Sequence, residues 1–457
     1  MMVYNYYKFL FVFALSLCFT LLTGHSTVEK RLFKSRLVEI RQENGRYSLY
    51  YKGEPFHVKG GAVTETTFLP SIKAFGGNSV RTYTSDNAEN ILDSAHQLGL
   101  TVMLGIYIGD AYKDFHPDNQ ASRDSLKKYV KEQVLKYKDH PALMFWSLGN
   151  EVTLFMKKGL RATYEHILLW KYMDELVEMI HQLDPLHPVT TAIARRSFKT
   201  RKLIDLFFPN IDFLTFNSAE PLKEDELPYY NKKPFMIGEL SAPGYWEYAH
   251  TEWYARLEPT SNEKSEFIDN EYKIYKTGNS LGSFAFIWGR KLEYSHTWFS
   301  LFTERGEVTE TALVFKKIWG EEGQKQYRHG SLRNLTIDKK KAEQSVYLNG
   351  GKIYAVNFDI TGSNYSQAKF HWELLQDEVE YLDASYSPTK LPVVFQDSVV
   401  LSSLEELQAF NTKLIPVSTY SLKLKTPSKE GAYRIFLYLK NVDGVVSTAN
   451  ICFYVRN

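Results

Sequence analysis

From about Val38 to Gly320, short apolar runs alternate with segments of helical periodicity. The runs His57–Thr64, Asn78–Tyr83, Thr101–Ile108, Leu143–Leu148, Pro188–Ala194, Asp212–Phe216, Pro234–Gly238 and Ser283–Trp288 predict eight strands. Stretches such as VMLGIYI and FAFIW are apolar without strict alternation, the pattern of parallel strands covered on both faces. Between them, Thr163–Leu183 sets Ile167, Trp170, Met173, Leu176, Val177 and Ile180 on one helical stripe, and Asp184-Pro185 closes it. Ala121–Lys138 predicts a second helix whose lysine-rich outer face is simply solvated. Eight strand–helix units over roughly 280 residues match the size of an α/β (β/α)8 barrel. An open doubly wound sheet has less support. Lys59-Gly60-Gly61-Ala62 lacks the full phosphate-binding fingerprint and has no helix directly behind it.

After Gly320 the pattern changes. Val346–Leu348, Ile353–Phe358, Lys369–Leu375, Ser421–Leu424, Tyr433–Leu439 and Ala449–Val455 are short, alternating, and separated by Gly, Asn, Ser or Pro. Asn349-Gly350 and Asp443-Gly444 read as hairpin turns. The expected organisation is a barrel over 38–320, a polar linker over Glu321–Arg333, and an all-β sandwich over 334–457.

Composition narrows the function classes. The 457 residues carry 55 Lys+Arg against 53 Asp+Glu, a net charge of +2, which argues against a nucleic-acid binder driven by phosphate charge. Hydrophobic and charged contents of 44% and 24% exclude wholesale disorder. The 31 Tyr and 29 Phe suit sugar-stacking surfaces and aromatic cores equally. Lys8 precedes the apolar run Phe9–Thr23, about fifteen residues long and short of the roughly 20 that span a bilayer. Residues 1–26 are therefore expected to be an export signal cut after Ser26, with an uncleaved N-terminal anchor as the alternative. Export to the periplasm, cell surface or medium follows. With Cys18 removed, Cys452 is the remaining cysteine, so neither a disulfide nor a thiolate metal cluster is expected.

Active-site groups of a parallel barrel sit at the C-terminal ends of its strands. The first strand offers Glu65, and the second Arg81, Tyr83 and Asp86. The fourth ends in Trp146-Ser147-Leu148-Gly149-Asn150-Glu151, the seventh in Gly238-Glu239, and the eighth in Trp288-Gly289-Arg290. Glu151 and Glu239 stand out because each directly follows an apolar strand. Strands four and seven lie across the barrel mouth, so the two carboxyls can face one another over a substrate. Retaining glycosidases need that arrangement, with carboxyl groups about 5–5.5 Å apart.

The strings WSLGNE and MIGELSAPG resemble the acid/base and nucleophile segments of clan A glycoside hydrolases, particularly the family 2 barrel domain. NSVRTYTSDN followed by GLTVMLGIYIG is similar to that clan's second and third strands, and family 72 glucanosyltransferases have a similar stretch. The wider segments GELSAPGYWEYAHTEWYARLEPTS and SFAFIWGRKLEYSHTWFSLF resemble exported bacterial proteins that carry this barrel. Those proteins end in an immunoglobulin-like domain with a segment like GAYRIFLYL.

The resemblance implies a TIM barrel followed by an immunoglobulin-like sandwich, a carbohydrate substrate and no cofactor. It implies Glu151 as general acid/base, Glu239 as nucleophile, and Asn150 as the hydrogen-bond partner of a sugar 2-hydroxyl. Arg81 would hold Glu239 ionised, so Glu151 is expected to titrate above Glu239. Trp288 would form the floor under the sugar, with Tyr83, Trp246 and Glu65 as further sugar contacts. Glu65, His296 and Trp298 are the loop side chains on which sugar specificity depends. The clan's usual sixth-strand Tyr is missing, since FLTFNSAEP puts Asn217 and Ser218 there; Tyr229 or Tyr230 would have to fold back. The family's N-terminal jelly roll has no room in the roughly 30 residues between leader and first strand. A retaining β-glycosidase acting on an oligo- or polysaccharide such as a β-glucan is the leading expectation. A glucan transglycosylase or an inactive carbohydrate-binding barrel are the alternatives.

Overall fold

The computed structural model describes residues 35–457 apart from 36, 44, 87, 155, 157, 158, 195–197, 219–232, 278, 321–328, 363, 364, 366, 378–392 and 412–415. The leader, Tyr229, Tyr230 and most of the expected linker lie outside the described residues. Among those described, no helix is long and apolar enough to cross a membrane.

The chain opens with three antiparallel strands, β1 (Val38–Glu43), β2 (Arg46–Tyr51) and β3 (Glu54–Phe56), which the apolar pattern did not announce. Val38, Ile40 and Leu49 pack against Met144, Phe213, Met236 and Leu281, which stand near the starts of barrel strands. This small sheet therefore plugs the N-terminal face of the barrel and leaves the opposite face for chemistry.

Eight parallel strands then close the barrel. They are β4 (Val58–Ala62), β5 (Ser79–Arg81), β6 (Thr101–Ile106), β7 (Leu143–Asn150), β8 (Val189–Ile193), β9 (Phe213–Ser218), β10 (Phe235–Leu240) and β11 (Ser280–Ala285). All eight predicted runs are strands. Every residue of β6 and β8 is buried, as expected where helices cover the outside. The helices are α1 (Leu69–Ala74), α2 (Ala88–Gln97), α3 (Gln120–Tyr137), α4 (Leu160–Leu183), α5 (Phe198–Phe207), α6 (Ser261–Thr277) and α7 (Glu310–Trp319). In α4 the predicted stripe is the buried face, from Leu169 and Trp170 to Ile180. Asp184 ends it and accepts hydrogen bonds from Trp146 Nε1 (2.8 Å), His187 Nδ1 (2.8 Å) and the Leu186 amide (3.0 Å). One buried carboxylate thus ties the fourth strand to the helix behind it.

The C-terminal region is a sandwich of a four-stranded and a five-stranded sheet. The first sheet runs β12 (Ser331–Ile337), β14 (Ile353–Thr361), β18 (Pro416–Lys425) and β17 (Glu405–Asn411). The second runs β13 (Tyr347–Asn349), β20 (Val446–Arg456), β19 (Gly431–Lys440), β15 (Lys369–Gln376) and β16 (Val393–Val400). Val356, Phe358 and Leu422 from one sheet and Phe370, Ile435, Leu437 and Phe453 from the other share one buried core. Asp443-Gly444 is a hairpin turn between paired strands. Asn349-Gly350 is not. It carries the chain from β13 in one sheet to β14 in the other, because β13 pairs with β20. The first sandwich strand also begins at Ser331, inside the stretch read as linker.

Barrel and sandwich are joined by buried polar contacts. Glu310 at the start of α7 accepts from Ser261 and Ser447 (each 2.9 Å) and from Ser331, and pairs with His329. Arg434 on β19 pairs with Asp377 at 3.0 Å and donates to the backbone carbonyl of Arg256 on the barrel side. Charges so deeply buried are tolerated only when paired and hydrogen-bonded, so this interface is specific in register.

Candidate active site

The barrel register brings the polar strand ends together at one height. Glu239 on β10 is level with Asn217 on β9, and Asn150 on β7 with Ala192 on β8. Beyond Asn150 the backbone turns sharply. Gly149 and Glu151 both have positive φ, 75° and 52°, and the Glu151 amide donates to the Ala192 carbonyl at 2.8 Å. A glutamate in the left-handed region costs of order 1–3 kcal/mol, strain typical of a residue held for function.

Arg81 is the hub beneath the carboxyls. It is 1% exposed and donates through Nη2 to Asn150 Oδ1 (2.7 Å) and through Nη1 to Asn217 Oδ1 (3.1 Å) and Glu239 Oε1 (3.4 Å). Asn217 Nδ2 in turn donates to Glu151 Oε1 (2.7 Å) and Asn150 Oδ1 (3.1 Å). The two glutamates are thereby joined through Asn217 and Arg81. Gly238 makes this possible: a Cβ there would stand 2.6 Å from Arg81 Nη1 and 2.4 Å from Thr215 Cγ2. Arg81 lies below the cavity surface, beneath the carboxylates it holds, and not among the lining side chains where a sugar contact was expected.

Burial decides the electrostatics. Glu239 is pushed up to about 7, chiefly by desolvation and further by the Glu151 charge, against the opposing pull of Arg81. Glu151 is also raised by burial, with the Asn217 hydrogen bond and Arg81 opposing. Both carboxyls are thus raised by burial, where Glu239 was expected to be held ionised by Arg81. Arg81 does stand beside Glu239, but desolvation outweighs its pull.

These groups open into a cavity of about 1150 Å³. Glu65, Tyr83, Asn150, Glu151, Glu239 and Trp246 all line it, as do Asn217, Phe286, Lys291 and His296. Trp246 is 45% exposed at its rim. Tyr83, whose ring lies under the Arg81 guanidinium at 4.7 Å, has a buried hydroxyl near Glu239. That hydroxyl makes no well-formed hydrogen bond among the described residues. Burial and the Glu239 charge hold it well above the usual tyrosine range. The second strand therefore supplies the tyrosine beside Glu239 that the sixth strand lacks.

Trp288 is not a sugar floor. Strand β11 ends at Ala285, and Trp288 turns outward to pack between α1 and α7 against Phe75, Phe302, Phe315 and Trp319. Its indole N–H is already used by Ser71 Oγ (2.9 Å) and the Phe68 carbonyl (3.2 Å). Phe286 forms the cavity wall instead. Trp298 is likewise buried, donating to the Pro243 carbonyl and packing on Tyr245 and Tyr248. Phe286 and Asn217 were missed as site residues. Asn217 had a visible signal, since it follows the sixth apolar run, but its partners Arg81, Asn150 and Glu151 lie on β5 and at the end of β7.

Residues 55–319 match the model of the glycosyl hydrolases family 2, TIM barrel domain, and the chain belongs to that family. Among curated proteins it is 23% identical over 336 residues to a β-glucuronidase of Streptococcus agalactiae, covering 62% of this chain and 53% of that one. It is 35% identical over 92 residues to a probable mannan endo-1,4-β-mannosidase C of Aspergillus terreus, covering 19% of this chain and 22% of that one. The crystal structure of Bacteroides uniformis β-glucuronidase superposes with a TM-score of 0.50 at 12% identity, covering 92% of this chain and 48% of that chain. The chain thus spans about half or less of the length of these relatives.

Proposed function

We propose that this protein is a retaining β-glycoside hydrolase acting on an oligo- or polysaccharide by double displacement. The observation that carries the reading is the buried network joining Glu239, Arg81, Asn217, Asn150 and Glu151 on the floor of one cavity. Glu239 attacks the anomeric carbon while Glu151 gives its proton to the departing glycosidic oxygen. Water then attacks the same carbon, Glu151 takes its proton, and Glu239 leaves. Asn150, held by Arg81 and Asn217, offers its amide to the sugar 2-hydroxyl. A cavity of about 1150 Å³ exceeds what one sugar ring requires, which favours a chain of sugars over a single glycoside. The relatives named β-glucuronidase and mannan endo-1,4-β-mannosidase place β-glucuronides and β-mannans beside β-glucans in the substrate panel. The half-exposed Trp246 at the rim supports a second reading, in which an acceptor sugar stacks there and replaces water in the second step. The apolar run Phe9–Thr23 supports an exported enzyme.

The test is a panel of aryl β-glycosides and β-1,3- and β-1,4-linked oligosaccharides, with azide added to Glu151→Ala. Azide needs no general base, so it should release a trapped glycosyl-enzyme as the β-glycosyl azide. An α-azide would mean single displacement and would sink the retaining mechanism. Glycan binding without turnover in the intact protein would move the assignment to a carbohydrate-binding barrel.

A further inference from the structure

The sandwich reaches the cavity through one side chain. His296, in the loop after β11, lines the cavity while its ring is only 8% exposed. Its Nε2 lies 2.6 Å from Tyr438 Oη on β19 and 3.0 Å from Glu373 Oε1 on β15. Tyr438 Oη in turn donates to the same Glu373 oxygen at 2.6 Å. The ring rests against Phe436, also on β19, at 4.5 Å between centroids.

This geometry fixes the tautomer. The tyrosine has one hydroxyl proton, and Glu373 as a carboxylate can only accept. If Tyr438 gave its proton to the histidine, a bare Nε2 would face the Glu373 oxygen at 3.0 Å, acceptor against acceptor. Tyr438 therefore donates to Glu373, and Nε2 carries a hydrogen that it donates to Tyr438 Oη, with the Glu373 carboxylate 3.0 Å away. In the neutral imidazole the other nitrogen, Nδ1, is then a bare lone pair. It has no hydrogen-bond partner among the described residues, although the ring borders the cavity.

We infer that His296 is a substrate-binding residue that accepts a hydrogen bond from a sugar hydroxyl, and that Tyr438 and Glu373 of the sandwich are its positioning residues. The sandwich is on this account part of the binding site and not only a buttress. The inference rests on the reading above that the cavity holds a sugar.

The experiment is a mutant cycle on the full chain with 4-nitrophenyl β-glycosides of glucose, galactose, mannose and glucuronic acid. His296→Ala should raise KM for the accepted sugar about three- to tenfold, the loss of one hydrogen bond, with a smaller change in kcat. Tyr438→Phe keeps shape and packing, and should raise KM in the same direction. In a His296→Ala background it should raise KM no further, because Tyr438 acts only through the histidine. A Tyr438 with a merely structural role would add its full effect in both backgrounds, and that result, or an unchanged KM in His296→Ala, overturns the inference. Melting temperatures of all variants separate lost binding from lost fold. If wild type turns over neither these glycosides nor the β-1,3- and β-1,4-linked oligosaccharides, the hydrolase reading fails on its own, and the same cycle is read by saturation-transfer NMR with the four free sugars. Affinity lost in His296→Ala would then sustain the inference, and absence of sugar binding in wild type would end it.

Discussion

Burial of Glu239 carries a cost that a single substitution should release. Glu239 sits in a site that pushes its carboxyl from the ordinary 4.5 up to about 7, mainly because burial disfavours the anion. Between those values the folded protein keeps the proton that the unfolded chain has already lost, so raising the pH favours unfolding. The difference of about 2.5 pH units, at about 1.4 kcal/mol each, makes the ionised Glu239 cost the fold about 3 kcal/mol above pH 7. Glutamine mimics the protonated carboxyl. Glu239→Gln should therefore match wild type in stability at pH 4.5 and exceed it by about 3 kcal/mol at pH 8. Urea denaturation of both proteins at half-unit steps across that range would measure the difference. The Arg81 guanidinium keeps Asn150, Asn217 and the new amide oxygen as acceptors, so no buried cation is left bare. A stability difference that stays flat with pH, or that favours wild type at pH 8, would refute the claim that burial outweighs Arg81 at this carboxyl.

Two further outcomes follow from packing and charge. Gly238→Ala should destabilise the barrel by about 1–3 kcal/mol and lower kcat, because the new methyl meets Thr215 and Arg81 and pushes the guanidinium from Glu239; thermal melts and kinetics on the accepted substrate check both. Glu310→Gln should cost about 3 kcal/mol, since it breaks a buried pair with His329 and a shared acceptor for three serines. Glu310 is held below its ordinary value by these partners and His329 is raised. The wild-type advantage should therefore be present above pH 4.5 and be lost as pH falls through the folded Glu310 value. On the other side it should fade as pH rises through that of His329, all readable from urea midpoints.

The barrel was legible because its strands are buried on both faces, and solid apolar runs such as Thr101–Ile106 leave no other reading. The β1–β3 sheet was not, since only one face of it meets the core and VEIRQE alternates over just six residues. Glu151 and Glu239 could be picked out because polarity changes abruptly where each strand ends. What a strand end cannot reveal is the direction of a side chain two or three residues beyond it. Trp288 and Phe286 both follow β11, and only the packing of α1 and α7 decides that the tryptophan turns away. His296 was legible as a candidate, but its partner Tyr438 is 142 residues on and in another domain. The rise of Glu239 escaped the sequence for a related reason: the charge beside it can be read from a motif, whereas its desolvation depends on everything packed around it.

The rise of Glu239 has a kinetic consequence. The proposed double displacement needs Glu239 ionised and Glu151 protonated together, and burial holds the proton on Glu239 up to about pH 7. The limbs of a wild-type kcat/KM profile then belong to the pair. Glu151→Gln separates them. With a dinitrophenyl leaving group the first step needs no acid, so single-turnover kcat/KM in this variant reports only the ionisation of Glu239. Removing the Glu151 charge also removes one of the influences that raise Glu239. The rate should climb with pH to a plateau, with a midpoint somewhat below 7 and well above 4.5. Restoring Arg81's dominance would look different: a rate already flat at pH 5 would mean that the guanidinium, and not burial, sets the charge of the nucleophile.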